Sequence, residues 1–138
     1  MMLLDTSVLV LVTRNRKRMT ALPRLLAFIG GADFFVSRFT ELELLQGARD
    51  EADWAAISTF LSGQDLVDPS ISSWSRAARI NFELKRKGLT VHSAIDCAIA
   101  QIALERNLTL LHNDRDFDTI ATIRPLKHTR LDLDTPAQ

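Results

Sequence analysis

Five carboxylates stand inside or at the ends of apolar runs: Asp5 in MMLLDTSVLVLV, Glu43 in FTELELLQG, Asp96 in AIDCAIAQIAL, and Asp114 and Asp116 after LTLLHN. A carboxylate taken out of water without a cation or donors costs several kcal/mol. Acids placed this way along one chain are expected to meet around a shared divalent cation. Oxygen-only donors, with no histidine or cysteine at ligand spacing, select Mg²⁺ or Mn²⁺, hard ions that keep waters and bridge to phosphate oxygens. Such ions serve chemistry at phosphate, where one or two of them activate a water, align it with phosphorus and stabilise the leaving oxygen.

Each acid also has a local use. Thr40-x-x-Glu43 and Ser93-x-x-Asp96 have capping-box spacing, and Asp5, Asp114 and Asp116 suit turns. The joint pattern weighs against local use alone, because a cap needs one acid and no apolar surroundings, whereas Asp5 and Asp96 are embedded in them. Thr6 and Ser7 have hydroxyls that would hold the Asp5 carboxylate or a metal-bound water, or cap the helix that follows. Without metal, four or five nearby carboxylates repel, so some should keep protons.

The elements that must gather these acids are read from periodicity. Short apolar runs alternate with helical patterns, which predicts an α/β domain with a parallel sheet covered by helices. Strands are expected at 2–5, 34–36 and 108–111, a short strand or loop at 65–68, and a weak edge strand at 123–126, where Pro125 tolerates only an edge. Helices are expected from Ser7, at 20–28, 40–48 and 52–61, from Ser70 or Ser72 to Gly88, and at 93–106, the last apolar nearly all round. The polar stretch Arg14 to Arg18 reads as a loop. With 138 residues, one domain over 1–130 and a tail at 131–138 are expected. In a parallel sheet Asp5, Asp114 and Asp116 lie past the carboxyl ends of strands, and Glu43 and Asp96 begin helices near the same edge.

Net charge is zero, so contact with a polyanion must come from local patches. Arg14, Arg16, Lys17 and Arg18 beside the Asp5 edge form one, and Arg76, Arg79, Lys85, Arg86 and Lys87 a second. There is no membrane-length apolar window and no basic leader ahead of the first apolar run, and the single Cys97 agrees with a reducing compartment, so a cytoplasmic protein is expected. His92, His112 and His128 lack ligand spacing and are read as surface or local hydrogen-bonding residues. Trp54 and Trp74 are read as core or interface anchors.

The ordered set LLDTSVLV, TELELLQGA, DCAIAQIALERNLTLLHND and DRDFDTI resembles the PIN-domain ribonucleases, most closely the VapC-type toxins of bacterial type II toxin–antitoxin pairs. The resemblance implies a three-layer α/β fold, a mostly parallel sheet of four to five strands with helices on both faces. It carries family acids onto Asp5, Glu43 (through Glu43-Leu44-Leu45-Gln46-Gly47), Asp96 and a fourth, Asp114 ahead of Asp116, with Asn113 as polar support. Glu41 is then spare and Asp118 a surface residue. Asp5, Asp96, Asp114 and Asp116 are expected to hold metal, and Glu43 to orient or deprotonate the attacking water. The implied activity is Mg²⁺- or Mn²⁺-dependent cleavage of transfer, ribosomal or messenger RNA that arrests translation. The implied partners are a cognate antitoxin and a second copy in a homodimer, within a larger toxin–antitoxin assembly. Two rivals remain at this level. A phosphoryl-transfer or phosphoacceptor domain would want paired acids after the first strand, where Leu4-Asp5-Thr6 offers one. A catalytically silent RNA-binding PIN module would not need every acid retained.

Overall fold

The computed structural model describes residues 1–13 and 15–133, and for residues 15–19 the backbone only. Its strands are β1 (Met2–Leu4), β2 (Phe34–Ser37), β3 (Leu66–Val67), β4 (Thr109–His112) and β5 (His128–Arg130). Its helices are α1 (Thr6–Thr13), α2 (Asn15–Ile29), α3 (Arg38–Gln46), α4 (Glu51–Ser62), α5 (Ser73–Arg86), α6 (Ala94–Arg106) and α7 (Arg115–Ala121). The strands form one sheet in the order β3-β2-β1-β4-β5, every pair parallel.

A strand covered on both faces needs apolar residues at successive positions, and β1 and β4 show why. Leu3 and Leu110 point into a core with Ile80 and Leu84 of α5, Ile99 and Ile102 of α6, and Phe117 and Ile120 of α7. Leu4 and Leu111 point the other way, onto Val8, Leu9 and Val12 of α1, Leu25 of α2, and Ile57 and Leu61 of α4. Three layers result, as expected. The helix α6 ends on Asn107, whose left-handed φ of 53° turns the chain into β4 two residues later.

Three local expectations are corrected. The stretch read as a loop is helical from Asn15, because Arg, Lys and Met are good helix formers and Ala21, Leu25 and Ile29, all buried, recur every four residues. Arg16, Lys17 and Arg18 therefore stand on a helical backbone; Arg14 and these three side chains lie outside the described residues. The last strand is His128–Arg130, pairing Leu110 with His128 and His112 with Arg130, while 123–126 is a turn after α7. Pro125 has no N–H to give a ladder, so the chain cannot pair until it has passed it. The helix α7 itself was not expected, since Asp114, Asp116 and Asp118 read as turn acids.

Of the segment expected as a tail, only residues to 133 are described, and Leu133 is buried against the α1–α2 core. Among the described residues, no helix is long and apolar enough to cross a membrane.

Candidate active site

The carboxyl ends of β1 and β4 lie side by side, and the chain leaves each by a polar turn. Asp5 follows β1, its amide donating to Leu111 O at 2.9 Å. Its side chain is 4% exposed. Asp5 Oδ2 accepts from Ser7 N at 3.0 Å and from Ser7 Oγ at 2.6 Å, and Ser7 Oγ in turn accepts from Asn113 N at 2.8 Å. One hydroxyl thus orients the carboxylate and ties the turn after β1 to the turn after β4. Ser7 holds Asp5, as one of its two readings had it.

Thr6 does a parallel job. Its Oγ1 donates to Glu43 Oε1 at 2.8 Å. The capping alternative for Glu43 is corrected, because α3 starts earlier: Ser37 is its N-cap and accepts from Thr40 N at 3.1 Å. Glu43 therefore sits a turn deeper, with no cap to make, and reaches across to α1. Glu41, on the other side of the helix, pairs with Arg38 at 3.2 Å.

Asp96 occupies the first turn of α6, whose N-cap Ser93 accepts from Ile95 N at 3.1 Å. Carboxylate oxygens of Asp96, Asp114 and Asp116 all lie within 4.8 Å of one another. Asp114 caps α7 through Oδ1, which accepts from Asp116 N at 2.9 Å. Asp116 is 3% exposed, and His92, on the loop before α6, bonds both of its oxygens: His92 N to Oδ2 at 2.7 Å and His92 Nδ1 to Oδ1 at 3.1 Å. Sequence reading placed His92 as a surface or local hydrogen-bonding residue and had no signal for this contact, which joins positions 24 apart. Asn113 contributes its amide rather than its side chain, whose Oδ1 accepts from Arg130 Nε at 3.1 Å.

Like charges at this density raise proton affinity. Burial, with the nearby Glu43 charge adding, pushes Asp5 up to about 6 against the lowering Ser7 bonds. Burial first, then the charges of Asp5 and Asp114, push Asp96 up to about 8. Burial also works against the Asp116 carboxylate, yet its bonds from His92 and Asp96 hold it below the usual range. Among the described residues no cationic side chain bonds Asp5, Asp96 or Asp114. This all-oxygen set fits a divalent cation, whose charge would take the place of the protons.

A second grouping has a different nature. Ligand atoms of His112, Asp118 and His128 also lie within 4.8 Å. His112 Nδ1 accepts from Asp114 N at 3.2 Å, so its proton sits on Nε2, 2.9 Å from His128 Nδ1. That leaves His112 no lone pair for a cation, and Arg130 already occupies Asp118 at 3.1 Å. The buried imidazole, pushed down to about 4 chiefly by desolvation, is a neutral peg beneath the Asp114 turn.

These shifts have a sign. Folded Asp5 and Asp96 keep protons that unfolded carboxyls, near about 3.9, have lost. The folded state binds more protons up to about 8, and metal-free stability falls as pH rises through that window. His112 acts oppositely, but only below the ordinary histidine value of 6.5. Between pH 6.5 and 8 the melting temperature of chelator-treated protein should therefore drop, and excess Mn²⁺ should flatten the drop. A metal-free melting temperature that rises across that interval contradicts the proton count.

The PIN domain family matches residues 2–123. Ribonuclease VapC51 of Mycobacterium tuberculosis is 34% identical over 121 residues, which span 88% of this chain and 85% of that protein. The structure of VapBC2 from Rickettsia felis, bound to a DNA fragment from their promoter, aligns with a TM-score of 0.76 at 23% identity, over 94% of this chain and 98% of that one. VapC20 of Mycobacterium tuberculosis, a toxin that cleaves the sarcin–ricin loop, aligns with a TM-score of 0.62 at 16% identity, over 86% of this chain and 93% of that one. At such identities the two structures speak for the fold.

Proposed function

The chain belongs to the PIN domain family and, within it, to the VapC ribonucleases, and from that premise we propose that it is a metal-dependent endoribonuclease toxin that cuts RNA to arrest translation. The observation that carries the reading is the meeting of Asp96, Asp114 and Asp116 within 4.8 Å, with Asp5 near enough for its charge to act on Asp96 and Glu43 near enough to act on Asp5. The phosphoacceptor alternative has no comparable support, since a single acid follows β1.

Asp5, Asp96, Asp114 and Asp116 would hold Mg²⁺ or Mn²⁺. The ion, when bound, supplies Lewis acidity toward a water and a phosphate oxygen. The protein's own part is placement. Ser7 fixes the Asp5 carboxylate and the Asn113 amide together, and Thr6 holds one oxygen of Glu43, leaving the other to orient or accept a proton from the attacking water.

Cations of α5 are proposed to track the RNA backbone. Lys85 and Arg86 are exposed, and Arg86 lies over the Phe82 ring with its guanidinium 5.7 Å from the centroid. For Arg14, Arg16, Lys17 and Arg18 the same role rests on sequence. A cognate antitoxin and a homodimer are proposed as partners, the first from relatives solved as toxin–antitoxin complexes. A cytoplasmic setting follows from the substrate.

The direct test is incubation of purified protein with total cellular RNA and Mg²⁺ or Mn²⁺. Discrete cuts that a chelator abolishes are expected; uncut RNA under both ions overturns the proposal. Glu43→Gln refines it. The amide keeps an oxygen for Thr6, so stability should stay within about 0.5 kcal/mol, whereas cleavage should fall roughly 10²-fold with the base removed. Undiminished cleavage in that variant takes Glu43 out of the chemistry.

A further inference from the structure

We infer that His92 is a positioning residue of the metal site, one that fixes the orientation of the Asp116 carboxylate; the inference rests on the metal-dependent reading above. Asp116 is 3% exposed and carries no ion pair with lysine or arginine among the described residues. A carboxylate buried in this way swings about its terminal torsion unless donors hold each oxygen. Beside the bond from Asp96, His92 supplies a donor to each oxygen, its amide to Oδ2 at 2.7 Å and its ring Nδ1 to Oδ1 at 3.1 Å. Because a carboxylate oxygen only accepts, Nδ1 must carry a proton.

The loop that presents His92 is fixed on both sides. Val91 is buried in the α5–α6 core, and Ser93 caps α6 through Ile95 N at 3.1 Å. The His92 amide is therefore aimed by the backbone, while the ring is 86% exposed and fills no core. The partner is anchored as well: Phe117, next along α7, is fully buried. A backbone-aimed amide and an exposed ring thus hold an acid on an anchored turn, one of whose oxygens lies within 4.8 Å of an oxygen of Asp96 and one of Asp114. An exposed imidazole with no packing role, donating to a buried acid of the cluster, has a use in orienting that acid for a cation.

The test uses the full chain and Mn²⁺ itself, titrated by calorimetry, beside thermal melts in chelator and RNA cleavage. His92→Ala keeps the amide bond and loses the ring bond; it should weaken Mn²⁺ binding about tenfold with an unchanged metal-free melt. His92→Asn places an amide N–H where Nδ1 stood and should restore binding to within about twofold of wild type. Equal Mn²⁺ affinity in wild type and His92→Ala overturns the inference. So does an Asn variant as weak as the Ala variant, and so does a loss that follows a lowered melting temperature in both. Wild-type protein that takes up Mn²⁺ but cuts no RNA overturns the nuclease reading and leaves this one standing, whereas protein that takes up none ends both.

Discussion

Asp96→Asn should lower RNA cleavage by at least about 100-fold and leave the metal-free protein as stable as wild type or more so, an uncommon pairing for a change at a buried residue. The pairing follows from what surrounds Asp96. It is 7% exposed, lies within reach of Asp114 and Asp116, and feels the charge of Asp5, so the folded chain accommodates it best with a proton. Asparagine has the same shape and never ionises. The gain in melting temperature should therefore be larger near pH 8 than near pH 6, since the proton that folded wild type holds and the unfolded chain has lost grows costlier to keep as pH rises through that interval. Asp5→Asn should behave in the same direction, though Ser7 gives the Asp5 carboxylate two bonds that an amide oxygen only partly replaces. Cleavage of cellular RNA and thermal melts at both pH values check this in one set of samples. Wild-type cleavage by Asp96→Asn removes the metal-site reading, and a melting temperature many degrees lower assigns the residue a structural role instead.

Phe117→Ala should be the most destabilising single change near the site, costing roughly 3–5 kcal/mol. The ring is fully buried in the core shared with α5 and α6, and its centroid is 4.9 Å from that of His112. It also holds α7, so truncation loosens the helix whose first turn carries Asp116 and whose cap is Asp114. Stability and cleavage should fall together, and excess Mn²⁺ should recover only part of the loss, because binding must now order the helix too. Ile71→Ala is the control: that side chain is 97% exposed and its loss should stay within about 0.5 kcal/mol. Denaturant unfolding gives both numbers. A Phe117→Ala cost as small as that of Ile71→Ala would mean α7 is not held by its core face.

A sequence carries an element legibly only as far as the signal for that element is local. The strands β1 and β4 and the buried helix α6 are plain, because an element covered on both sides must be apolar at successive positions, and Leu3-Leu4, Leu110-Leu111 and, Gln101 apart, Cys97 to Ala103 are. The strand β5 and the helix α7 are not. HTR at a sheet edge needs only backbone pairing, and RDFDTIA buries just Asp116, Phe117 and Ile120. The Arg14 to Arg18 stretch misled because charge suggests a loop, whereas helix propensity and the apolar stripe that follows carry α2 back to Asn15.

The chain alone determined which residue types are available and that Asp5 and Asp96 sit in apolar surroundings, since covalent order and burial pattern are local properties. Tertiary structure decided the rest. It turned Glu43 from a plausible cap into a partner of Thr6, made Ser7 the clasp between two turns 106 residues apart, and set His92 on Asp116. Hydrogen bonds reach only about 3 Å and depend on angle, so which donor meets which carboxylate is settled by how the sheet and helices pack, and no spacing along the chain encodes it.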